Sequence, residues 1–99
     1  MILRLYGKAK VVHQKDADWP TLFALFDPLP GARQIFDLTI ELVQTSCGMG
    51  VPYFTYVGER KLLIDWALKK GESGLTQYWK DKNQTSLDGI PTDIVAKNV

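Results

Sequence analysis

A single cysteine, Cys47, and a single histidine, His13, remove several classes of protein at once. One thiol cannot build an internal disulfide framework or a cysteine-rich zinc site. One imidazole cannot supply a two-histidine metal pair. No apolar run approaches the roughly 18 residues that a bilayer-spanning helix needs. The opening Met1-Ile2-Leu3-Arg4-Leu5-Tyr6-Gly7 lacks the charged start and long apolar centre of a secretory signal, so the expected location is cytoplasmic. Net charge is nearly absent too. Lys+Arg 12 against Asp+Glu 11 leaves +1, which is no field for holding nucleic acid or an anionic membrane. What remains is ordinary globular usage, 45% hydrophobic and 23% charged over 99 residues. That length suits one domain burying roughly 60–70% of its unfolded surface.

Residues 2–13 read as a strand. Leu3, Leu5, Ala9 and Val11 fall on one face and Arg4, Tyr6, Lys8 and Lys10 on the other. Gly7 has no side chain to pack there and signals a bulge or a close backbone approach. A short helix is predicted at about 17–26, with Asp16 or Asp18 as cap, Pro20 in the first turn, and Trp19, Leu22, Phe23 and Phe26 as the apolar face. Pro28, Pro30 and Gly31 end it. Residues 34–45 alternate again: Phe36, Leu38, Ile40 and Leu42 against Asp37, Thr39, Glu41 and Val43.

A loop follows at Ser46-Cys47-Gly48-Met49-Gly50-Val51-Pro52, then a short aromatic segment with Tyr53, Phe54, Tyr56 and Val57. Helical spacing resumes from Glu59 with Leu62, Leu63 and Trp66. It stops at Gly71 and restarts near Ser73 with Leu75, Tyr78 and Trp79. The tail from Ser86 to Val99 reads as irregular, with a turn at Asp88-Gly89. The resulting fold class is α+β. Two amphipathic strands carry more apolar face than these helices can cover, so the sheet is expected to be completed by a second copy of the chain.

Three spaced blocks have a recognisable pattern: Ile2 to Ala9, Leu29-Pro30-Gly31-Ala32-Arg33-Gln34, and Val43-Gln44-Thr45-Ser46-Cys47-Gly48-Met49-Gly50-Val51-Pro52. Tyr56-Val57-Gly58-Glu59-Arg60, Lys82-Asn83 and Asp88-Gly89-Ile90-Pro91-Thr92 add to them. Together they resemble the pyridoxamine 5'-phosphate oxidase-related flavoproteins, in a branch of FMN-binding split-barrel proteins. The resemblance covers about residues 2–92 and corresponds to the C-terminal half of the family domain. It implies a partial split β-barrel of antiparallel strands with flanking helices, a homodimer or higher homo-oligomer, and FMN at the subunit interface.

The segment Ile40–Gln44 resembles the family's late barrel strand, whose end reaches the flavin ring. Under that resemblance Gln44, Thr45, Ser46, Cys47 and Gly48 lie at the ring, and Arg4 and Lys8 supply charge. The biosynthetic oxidases carry tryptophan where this chain has Val43, and their downstream phosphate-binding arginine has no equivalent here. Oxidation of pyridoxamine phosphate itself is therefore not implied.

Each of these residues also has a plainer reading. No neighbouring cation or helix start activates Cys47, which reads as incidental or ligand-contacting rather than nucleophilic. His13 reads as an exposed strand-end histidine. Arg4, Lys8 and Lys10 form a solvated strand face or a phosphate contact. Gly48-Met49-Gly50 lacks the third glycine of a dinucleotide fingerprint, since residue 53 is tyrosine. Trp66, Trp79, Tyr78 and Tyr56 read as core. Two functions stand side by side: a flavin-dependent oxidoreductase of unnamed substrate, and a cofactor-free half-domain serving as an assembly or interaction module. A nucleic-acid surface on Arg4, Tyr6, Lys8 and Lys10 is weaker, because clustered aromatics and net positive charge are missing.

Overall fold

A computed structural model describes all residues, Met1–Val99. The order is β1 (Ile2–His13), α1 (Trp19–Phe23), β2 (Gln34–Ser46), α2 (Leu62–Lys82) and α3 (Ile94–Asn98). The two strands form one antiparallel ribbon, and the sheet is not closed. No helix is long and apolar enough to cross a membrane.

The ribbon follows from the two alternating segments, and Gly7 sets its one irregularity. Pairing runs from His13↔Gln34 to Gly7↔Ile40, then resumes at Tyr6↔Leu42 and continues to Ile2↔Ser46. Glu41 is the extra residue of a β-bulge. Thr39 presses its carbonyl oxygen so close to Gly7 that a Cβ there would sit 1.8 Å from it. Opposed residues share a face, so the bulge exchanges the faces of β2 partway along. Phe36, Leu38 and Ile40 lie beside Val11, Ala9 and Gly7, but beyond the bulge Val43 and Thr45 continue that face. Leu42, expected among the apolar set, pairs with Tyr6 and joins the polar face instead.

The helices gather at the base of the ribbon. Val12 and His13 are buried there, and Ala67, Leu75, Trp79 and Ile94 make a second small core. Gly71 adopts φ 66°, ψ 175° and breaks α2 into the two helical segments that the glycine predicted. Trp66 packs edge-on against Tyr78, with ring centroids 5.0 Å apart. Tyr56, expected in the core, is exposed.

Two further expectations are corrected. The tail is not wholly irregular. After the turn, where Gly89 N–H donates to Ser86 at 3.0 Å, Ile94–Asn98 is helical and Ile94 enters the core. His13 is not exposed but only 4% accessible. The reason for both lies in α3. Lys15 N–H donates to the Lys97 carbonyl at 3.1 Å and Gln14 N–H to Asn98 Oδ1 at 2.9 Å, docking α3 against the chain that leaves β1.

Little else is covered. Only six of 99 residues are buried, and the radius of gyration is 17.2 Å against about 13 Å for a compact chain of this length. The accessible surface is 8435 Å², whereas a folded monomer of 11.2 kDa exposes about 5,700 Å². The surplus is roughly 2,700 Å². Phe36 is 67% exposed and Leu3 59%, although both lie on the apolar face.

Candidate functional site

The tip of the ribbon, opposite its helical base, collects most of the residues singled out above. Arg4 opposes Gln44, Leu3 opposes Thr45 and Ile2 opposes Ser46. Gly48 turns back with φ +67°, and its Cα side lies against Ile2, where a Cβ would be 3.6 Å from the Ile2 side chain. Alternation along β1 puts Arg4, Tyr6 and Lys8 on one face, and pairing adds Gln44 and Ser46 to it.

The bulge creates this grouping. Below it, paired residue numbers sum to 47, as in Lys8↔Thr39; above it they sum to 48, as in Arg4↔Gln44. An unbulged ribbon would place Val43 opposite Arg4, leaving the guanidinium over an apolar side chain.

Two polar groups at the tip have no partner within the chain. Arg4 makes no ion pair or side-chain hydrogen bond, while the other basic residues of its face are engaged: Lys8 Nζ lies 3.8 Å from Glu41 Oε1 and Lys10 Nζ 2.6 Å from Asp18 Oδ2. The Ser46 hydroxyl is shielded from solvent and unpaired. A buried hydroxyl without a partner is destabilising, and such groups are uncommon in folded proteins. An anionic ligand at the tip would partner the Arg4 guanidinium, whereas the Ser46 hydroxyl is closed to solvent from that side. Tyr6 Oη donates to Gln44 Oε1 at 3.4 Å and belongs to the same group. Its signal in the sequence was its place two residues from Arg4 on the same strand face.

Not every candidate converges. Thr45 sits on the opposite, apolar face with Leu3. Lys8 is four residues from Arg4, about 13 Å along the strand, and its charge is offset by Glu41. Cys47 is an exposed free thiol beyond the end of β2.

Other polar features lie elsewhere. Asp18, by hydrogen bond and charge, raises the Lys10 ammonium above the ordinary lysine value. Glu59 accepts a hydrogen bond from Tyr56 Oη at 2.7 Å and raises that phenol. His13 Nδ1 lacks a partner within hydrogen-bond distance; the nearest carboxylate oxygen, of Asp16, is 3.8 Å away. No three His, Cys, Asp or Glu side chains come together in a metal-binding group. A half-open cleft of about 550 Å³ between α1, α2 and the Leu29–Ala32 turn contains none of the tip residues. No protein-family model, curated protein or solved structure matches the chain.

Proposed function

We propose that this chain is a flavin-binding protein of the split-barrel type, resembling the pyridoxamine 5'-phosphate oxidase-related flavoproteins, and that it works as a homodimer with FMN at the subunit interface. The observation that carries the reading is the unpaired Arg4 guanidinium at the ribbon tip, directly across from Gln44 on the same face. An FMN suits this donor set: Arg4 offers a planar cation to a phosphate, and the Gln44 amide offers hydrogen bonds to ring or ribitol oxygens. Gly48 lets the backbone turn beside the group. The isoalloxazine would supply the redox chemistry, while the chain binds, orients and shields it.

The test is direct. The purified protein should be yellow, with flavin absorbance near 450 nm (a general property of oxidised flavins). The apoprotein with FMN at 100 times its dissociation constant should gain about 2.7 kcal/mol. Arg4→Ala should weaken FMN binding, whereas Thr45→Ala, on the other face, should not. Colourless protein without a thermal shift at millimolar FMN refutes this reading.

A second reading is favoured by the surplus surface. A chain with six buried residues and exposed apolar side chains on both strands is suited to assembly, with or without a cofactor. On that reading it is a cofactor-free interaction module, and colourless protein that still self-associates supports it.

A further inference from the structure

Between Gly48 and α2, the chain runs as an arm without secondary structure, from the ribbon tip to its helical base. None of residues 52–60 makes a backbone–backbone hydrogen bond. From Val51 to Gly58 the arm has no charged residue, and Tyr53 is 104% and Phe54 86% exposed. Exposed aromatics on an uncharged segment are the ingredients of side-chain docking onto an apolar surface. The extended reach of ten residues is about 33 Å, comparable to the roughly 40 Å of the ribbon.

The arm does not serve its own ribbon. It is tied to that ribbon's tip, where Gly48 meets Ile2, yet both the arm and the apolar face remain open to solvent. Each chain therefore carries two unsatisfied and mutually complementary patches. A two-fold pairing brings arm to ribbon and ribbon to arm, so that one contact satisfies all four. The surplus surface of roughly 2,700 Å² per chain, about 5,400 Å² for two chains, reaches the upper end of what obligate dimers bury.

We propose that Val51–Arg60 is an intersubunit clasp, its Tyr53, Phe54 and Val57 side chains seated on the apolar ribbon face of a second copy, around Leu3, Leu5, Phe36, Leu38, Ile40 and Val43. This rests on the homodimer proposed above and specifies how the two copies hold each other.

The experiment uses the full chain with p-benzoylphenylalanine in place of Phe54, mixed as isotopically light and heavy copies, irradiated and mapped by mass spectrometry. Because Phe54 touches so little of its own chain, the replacement leaves the protomer intact. The expected result is heavy-to-light cross-links from position 54 to residues 3–5 or 36–43. Phe54→Ser should weaken dimerisation about tenfold or more, as loss of an aromatic anchor does, measured by sedimentation velocity. Cross-links only within one chain, or between chains but to the α1–α2 cleft, overturn the clasp. So does a dimer whose dissociation constant is unchanged by Phe54→Ser; the homodimer reading survives that result. A monomer at all accessible concentrations, with no cross-link between copies, overturns both.

Discussion

Gly7→Ala tests the ribbon at the point where one atom matters most. The new Cβ would lie 1.8 Å from the Thr39 carbonyl oxygen and 2.8 Å from its carbonyl carbon. An ordinary contact needs about 3.4 Å or more, so the strands must separate by more than 1 Å locally. Both offending atoms are backbone, and no side-chain rotation relieves them. Separation weakens the ladder bonds on either side of the bulge, two to four of them at about 1 kcal/mol each. Overpacking adds a cost in the range of about 1–3 kcal/mol. Even the low end of that sum, about 3 kcal/mol, is a large share of the 5–15 kcal/mol typical of a domain. It should lower Tm by roughly 12–24 °C at fixed protein concentration. Thermal melts followed by far-ultraviolet circular dichroism give the value, and amide shifts of Thr39 and Ile40 locate the change. A Tm within 2 °C of the parent, with those shifts unmoved, would refute the close approach and the bulge with it.

Trp79→Ala should cost about 3 kcal/mol, near the low end for buried aromatics because a cleft already opens beside it; urea denaturation measures it. At Gly71, φ is 66° and ψ 175°, a region essentially reserved for glycine, and no atom lies within 4 Å of the place a Cβ would take, so Gly71→Ala meets only backbone strain and should cost about 1–3 kcal/mol. A Gly71→Ala variant as stable as the parent, by the same denaturation, would show that the break in α2 does not need glycine. Lys10 titrates above an ordinary lysine because of Asp18. Its raised value means that the pair contributes fully below the unfolded lysine value and is lost as pH rises through the folded one. Asp18→Asn should lower the Lys10 titration toward the ordinary range, read by side-chain nitrogen shifts, and leave neutral-pH stability nearly unchanged because the pair is exposed.

Much of the chain's local architecture can be read from residue order. Period-two alternation marks both strands, Gly71 divides the long helix, and Asp88-Gly89 makes its turn, because each depends on neighbours in the chain. Arg4 and Lys8 were visible as a basic strand face on the same grounds. Their different fates were not: Glu41 pairs with Lys8, while Arg4 stands free opposite Gln44. His13 is hidden by a helix that arrives more than 80 residues later, and no local pattern around His13 announces it. The five-residue α3 is too short to be stable alone and forms where Ile94 meets Trp79 and Leu75.

By itself, then, the amino-acid order determined the two long amphipathic strands, the breaks between elements and the excess of apolar strand surface, since these follow from periodicity and from glycine and proline. Only the tertiary structure decided which residues share the ribbon tip. A glycine backed against the Thr39 carbonyl shifts the register by one residue, exchanges the faces of Leu42 and Val43, and sets Gln44 instead of Val43 across from Arg4. That choice depends on how closely two backbones approach in space, a distance between segments more than thirty residues apart.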